Sequence, residues 1–354
     1  MKRLGKISGL LFSLLIISSS VFSEEEEKLE LNGLLRNDSY VVKTSEPEDY
    51  QFYNILENRL ILEARRLDWK YYADARFYVY GGESTTLYGD TSVNLMRSFI
   101  RYYSSAGDFT AGKTYVNFGN PGVFNPFEFD KSVNFSDLGY AREGLLAIEH
   151  FFPWQDTSGL KTYIGTTDPK ELMWGISPAV HLGTFNIGLV HNHVGPDNNI
   201  SGAFFKGDLL VGLQGSWAVH SDDAYKLDYS EASAGIDYSF IDGKLLVNAL
   251  YYYNEAGAIS PSKYIATADT FLLARHYGLF TVSGRIDEFW SVQLSTFVNL
   301  IDYSAVVIPS TIFILTNGLS LTVQVSVFTA DGNEEFSRKR AGDLVSMIRV
   351  EGKF

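Results

Sequence analysis

The sequence predicts an all-β fold, a transmembrane antiparallel β-barrel of about 18 strands, with 16 as the alternative count. Three observations carry this. Runs of alternating apolar and polar residues recur along the whole chain, the period of a strand with two unlike faces. The connections between runs sort by parity, short at one end and mostly long at the other. The final run, Leu344 to Phe354, places Leu344, Ser346, Ile348, Val350, Gly352 and Phe354 on one face and ends on an aromatic residue.

The chain starts with Lys2, Arg3 and Lys6, an apolar Ile7–Ile17 and a small, polar Ser18–Ser23. That is the pattern of a secretory signal peptide over 1–23, which leaves 24–354 as one barrel domain. An acidic run, Glu24 to Glu27, follows and reads as a solvated tail. Beyond the leader no stretch reaches the ~18 consecutive apolar residues of a membrane-crossing helix. A membrane-spanning chain of this kind must therefore close its strands into a barrel. The 25 Phe and 22 Tyr among 354 residues are spread along the length, as two interfacial girdles require and one compact core does not. A net charge of −13 argues against a nucleic-acid partner. The absence of cysteine excludes disulfides, thiolate metal sites and a thiol nucleophile.

In chain order, strands are expected at 29–43, 51–66, 69–80, 91–104, 108–117, 142–152, 160–167, 171–181, 184–194, 200–206, 208–220, 226–240, 244–254, 269–284, 289–303, 305–316, 318–330 and 343–354. The pair over 55–79 is the clearest. Leu56, Leu60, Leu62 and Ala64 share one face, against Glu57, Arg59, Glu63 and Arg65. The next run sets Trp69, Tyr71, Ala73, Ala75, Phe77 and Val79 against Lys70, Tyr72, Asp74, Arg76 and Tyr78. An apolar face with aromatic ends suits lipid, and a face with charges of both signs suits a watery lumen. Short turns are expected at Arg66–Asp68, Ser105–Ala106, Leu182–Gly183, Ile241–Gly243 and Asn317–Gly318, and long connections at Gly81–Asp90, Phe118–Ala141, Glu255–Ala268 and Asp331–Gly342. Asn317-Gly318 and Asp242-Gly243 are good hairpin turns in their own right.

The Phe-terminated last strand resembles the ending of bacterial outer-membrane β-barrel proteins. That resemblance implies an outer-membrane location among its lipids and recognition of the Phe354 end by the barrel-assembly machinery. A second resemblance lies in Gly112-Lys113 followed by Phe118-Gly119, Asn120-Pro121 and Asn125-Pro126. A porin-like group has a Gly-Arg strand end leading into an aromatic-Gly loop with Asn-Pro, here with Lys113 in place of Arg. It covers about thirty residues. It implies that 118–141 folds into the barrel and narrows it, with Asn120, Phe124, Asn125, Phe127, Glu128 and Asp130 at the constriction.

Alternation puts Arg59, Arg65, Arg76, Arg97, Arg101 and Lys113 on the inferred lumen face, with Glu57, Glu63 and Asp74 opposed to them. A column of cations in a narrow pore stabilises passing anions. His191 and His193 share a strand face but lack further ligands at metal spacing, and read as a polar patch near a rim. Ser216 and His220 share a face with nothing to orient the histidine, so no catalytic, metal or cofactor site is expected. The reading is a passive channel for small hydrophilic solutes, anions among them, of the porin-like kind in which homotrimers are common. The alternative is a surface-exposed adhesion or structural barrel with a filled lumen; a secreted soluble β protein ranks third.

Overall fold

The computed structural model describes residues 28–45, 48–83, 89–119, 123–128, 143–155, 158–166, 171–195, 198–222, 224–265, 272–341 and 343–354. The signal peptide expected at 1–23 and the acidic tail lie outside them.

Eighteen antiparallel strands form one closed sheet. They are β1 (Lys28–Ser45), β2 (Glu48–Arg66), β3 (Trp69–Gly82), β4 (Thr91–Ser104), β5 (Gly107–Thr114), β6 (Leu145–Gln155), β7 (Ser158–Thr166), β8 (Met173–Leu182) and β9 (Phe185–His193). The second half holds β10 (Asn199–Asp208), β11 (Gly212–Ser221), β12 (Leu227–Phe240), β13 (Leu245–Asn254), β14 (His276–Arg285), β15 (Trp290–Asn299), β16 (Ala305–Thr316), β17 (Leu319–Phe328) and β18 (Leu344–Lys353). Each strand pairs with its neighbours in sequence, and β1 pairs with β18 from Leu34↔Lys353 to Lys43↔Leu344. Full closure leaves no sheet edge. At the seam the Gly33 amide donates to the Phe354 carbonyl at 2.7 Å and the Phe354 amide to the Gly33 carbonyl at 3.0 Å. Gly33 leaves the space that the Phe354 ring occupies there, 2.1 Å from where a Cβ on residue 33 would be.

Alternation decides the two surfaces. Leu31, Leu146, Leu189 and Phe354 point outward and are 59% to 73% exposed, an apolar belt with nothing over it. Inward positions are polar or packed: Asp74 is fully buried, as are Tyr277 and Asn192. One bulge alters the phase. Asp74 pairs with Arg97 but Ala75 pairs with Leu95, so Met96 is the extra residue of β4. Leu95 therefore faces outward while Arg97 faces the lumen, although both are odd-numbered positions of one strand.

Several strand boundaries shift: β14 starts at His276 rather than 269, β15 ends at Asn299 rather than 303, and β5 ends at Thr114 rather than 117. The turn after β10 falls at 209–211 rather than at Gly207, which lies inside the strand and makes room for the Phe185 ring, 2.4 Å from where its Cβ would be. The expected connection at 44–50 shrinks because β1 and β2 run to Ser45 and from Glu48. Elsewhere the long connections stand at the expected end, over 115–144, 255–275 and 329–343.

Candidate functional site

The inward rows of β18, β1, β2, β3 and β4 build a charged wall. Register places Arg36 opposite Glu57, Arg59 opposite Arg76, and Asp74 opposite Arg97. Arg59 grips Asp74 with two nearly parallel bonds of 2.8 and 2.7 Å, the geometry that a planar guanidinium shares with a carboxylate. Arg97 reaches the same carboxylate at 3.2 Å and the Tyr72 hydroxyl at 3.0 Å. Glu57 lies 3.3 Å from Arg76 and 3.5 Å from Arg36. Asp38 takes Arg36 at 3.1 Å and both arms of Arg349, at 2.8 and 3.0 Å. Five guanidinium groups thus share three carboxylates within one network of the described residues, an excess of positive charge. The carboxylates are sealed beneath while Arg36, Arg59 and Arg97 keep 21% to 29% of their side chains accessible to the lumen. Arg97 lies over the Tyr72 ring at 5.0 Å and Arg101 over Phe99 at 5.5 Å, which holds both cations upright on aromatic faces. Arg101 also donates to Thr110 at 2.9 Å.

Two of the expected lining residues stand apart. Arg65 is inward but sits at the short-turn rim with Lys70, both 2.8 Å from Glu63. Lys113 is corrected from the lumen to the outer face: it lies in register with Ser98 and Leu146, the latter 61% exposed, and pairs with Glu143. The β4–β5 turn sets Thr110 opposite Arg101, so Thr110, Gly112 and Thr114 face inward instead.

The described part of the connection between β5 and β6, residues 115–119 and 123–128, packs against the inner wall of the barrel. Asn125 organises it, its amide donating to the Phe118 carbonyl at 2.8 Å and to Asn117 at 2.9 Å, while its side-chain oxygen accepts from the Phe127 amide at 3.2 Å. The Tyr115 hydroxyl donates to Glu128 at 2.9 Å. Gly119 takes a positive φ of 76° and has Phe127 where a Cβ would be, so the glycine permits the ring to fold back. Phe118 and Phe127 then pack with Tyr163, Met173, Val190 and Ile200, inward residues of β7 to β10. Lys161 fastens this end, donating to the Asn117 carbonyl at 3.2 Å and pairing with Glu149 at 2.7 Å. Phe124 leaves in another direction. It stacks on Tyr252 at 4.9 Å with parallel planes and meets Phe297 at 5.4 Å with its plane tilted, inward residues of β13 and β15. One inserted segment is therefore seated on two apolar stretches of the lumen wall. Asn120 and Asp130 lie outside the described residues.

The sequence reading missed Arg36, Asp38 and Arg349, the last of which joins the wall only because β1 and β18 meet, and it missed Lys161 and Glu149. His191 and His193 share the outward face with Trp174, whose ring is 5.2 and 6.0 Å away. Their Nδ1 atoms meet Ser201 Oγ and Asn199 Oδ1. The His220 ring is taken up by Tyr229, stacked at 4.1 Å, and by Glu231 at 3.6 Å.

No protein-family model matches the chain, and no curated protein sequence matches it. Solved structures do. The chain is similar to Pseudomonas aeruginosa OccK11 (TM-score 0.60, 8% identity, 92% of this chain and 96% of that one). It is similar also to Acinetobacter baumannii OccAB3 (0.59, 8%, 92% and 99%) and to Salmonella typhi OmpF (0.53, 11%, 93% and 98%). The fold is that of the bacterial outer-membrane porins, a closed 18-strand barrel in this chain.

Proposed function

We propose that this barrel is a channel in a bacterial outer membrane through which small hydrophilic solutes diffuse passively, anions in preference to cations. The observation that carries the reading is the division of the lumen. The inserted segment occupies the apolar stretches of the wall, so the arginine network of β18 and β1 to β4 is left to line the passage. A solute anion passing Arg36, Arg59 and Arg97 meets fixed positive charge on the lumen wall, which favours its passage over that of a cation. The buried carboxylates hold the guanidiniums in place. Phe124, Asn125, Phe127 and Glu128 act as the constriction. The filled-lumen adhesion barrel is the weaker reading, since nothing among the described residues covers the arginine wall.

The end of the chain fits export and assembly. Phe354 lies outward at the seam, available to the barrel-assembly machinery as the final aromatic. A homo-oligomer would meet through the outer face of β1 and β2, where Asn37, Asn54 and Asn58 interrupt the aliphatic row and make that stretch a poor surface for hydrocarbon.

The test is the reversal potential of the refolded protein in a planar bilayer under a salt gradient. Anion preference is expected, and replacing Arg97 and Arg101 together by Glu lowers it. An unchanged reversal potential removes those two residues from selection, and no current from folded, inserted protein removes the channel reading.

A further inference from the structure

The inward rows at the short-turn end of β13 to β16 hold a pocket that neither the arginine wall nor the inserted segment uses. Register sets Leu246 opposite Ser283, Ser283 opposite Gln293, and Gln293 opposite Ser310. The next inward row toward the turns runs from Arg285 to Ser291 and Ile312. With Lys244, from the β12–β13 turn, these side chains enclose about 290 Å³. That volume is at the lower end of the range for small-molecule sites.

Three properties set the pocket apart. First, its two cations are unpaired. Each guanidinium of the arginine wall meets a carboxylate. Lys244 and Arg285 are exposed and make no ion pair among the described residues, the carboxylates of the flanking turns, Asp242, Asp287 and Glu288, included. Second, the hydroxyls of Ser283, Ser291 and Ser310 have no hydrogen-bond partner among the described residues, whereas Gln293 donates to Ser295 at 3.0 Å. Third, Leu246 and Ile312 remain 41% and 39% exposed although they face the lumen. At the other end of the same strands Tyr252, Phe297 and Val306 are buried, with Phe124 and Phe336 packed on them.

We propose that this pocket binds a small organic carboxylate. Lys244 and Arg285 take the carboxylate group, the serine hydroxyls donate to its oxygens, and its carbon chain lies over Leu246 and Ile312. The proposal rests on the reading of the barrel as an anion-preferring channel, and it adds a second station at the short-turn mouth. Arg285, Ser291, Ile312, Thr322 and Arg349 occupy one row of paired positions across β14 to β18, so the pocket and the arginine network lie on the same inward row. A bare inorganic anion would use the cations and leave the apolar floor uncovered. A neutral solute would leave both cations unused.

NMR titration of the folded protein in detergent micelles with butyrate, ¹³C-labelled at the carboxylate, tests this without requiring a current. Saturable binding is expected, several-fold tighter than that of acetate because butyrate has further methylenes to lay over Leu246 and Ile312. Lys244→Gln combined with Arg285→Gln is expected to weaken it about tenfold, the effect of two exposed ion pairs. Ile312→Ser is expected to bring butyrate toward the affinity of acetate, each variant first being shown folded by its migration on unheated gels. A wild type that binds no butyrate, a double variant that binds as the wild type does, or equal binding of acetate and butyrate each overturn the assignment. The reversal potential of the same preparation separates the two readings. Anion-preferring current without butyrate binding removes only the pocket, and butyrate binding without any current removes the channel and with it the pocket's part in passage.

Discussion

Two sectors of the lumen wall, built by the same alternation, are chemical opposites. Over β18 and β1 to β4 the inward rows carry Arg36, Asp38, Glu57, Arg59, Asp74, Arg76, Arg97 and Arg349. Over β13 to β17 they carry Tyr252, Leu279, Phe297, Val306, Ile308 and Phe328. The first sector is held by charge-assisted bonds and the second by ring and aliphatic packing. The difference shows that a lumen-facing row is not polar by necessity. An apolar inward row is stable where another segment of the chain covers it, and Phe124, Phe336 and Tyr264 cover this one. A charged inward row needs no cover, because water and its own counter-charges satisfy it.

The contrast can be broken most severely at Asp74. Replacing it by Ala leaves Arg59 and Arg97 without their shared carboxylate, and the loss of a buried partner costs about 3–5 kcal/mol. The folded form on unheated gels should then melt at a markedly lower temperature than wild type, and an equal melting point would mean that water replaces the carboxylate at little cost. On the apolar side, Phe297→Ala removes the floor beneath Phe124 and Phe336 and costs about 3 kcal/mol in the same assay. Phe124→Ala removes one stacking partner, about 0.5–1.5 kcal/mol beyond its buried area, but should raise conductance more than either. Lys113→Gln sharpens the comparison from outside: its outward position predicts an unchanged reversal potential, and a shift would place its ammonium in the passage after all.

The barrel, its strand number and the sorting of short and long connections were legible because each rests on local alternation and turn chemistry. Phe354 was legible for the same reason. The orientation of Lys113 was not, since it depends on how the Ser105-Ala106 turn registers Thr110 against Arg101 across two strands. The turn after β10 was misplaced because Lys206-Gly207-Asp208 has the composition of a turn, while the glycine in fact accommodates a ring from β9. Arg97 and Leu95 have the same parity, and only the bulge at Met96 explains how one faces the lumen and the other faces outward. The inserted segment was announced by its glycines, asparagines and phenylalanines, but its two seats, on residues far away in sequence, were not. The same holds for Glu335, whose partners Leu273, Tyr277, Asn299 and Asp302 come from two strands and two other connections.

The pairing of Asp38 with Arg349 joins residues separated by 311 positions. Bringing such distant points together costs a flexible chain about 5 kcal/mol of closure entropy, far more than the turn of a single hairpin. The contact therefore forms late, when most intervening hairpins have shortened the effective loop. Until then β1 and β18 are both open edges whose amides and carbonyls have no partners in lipid, and the arginine network is missing a carboxylate of one strand and a guanidinium of the other. Closing the wall against the membrane and completing the charge pattern of the passage are, in this molecule, a single late event.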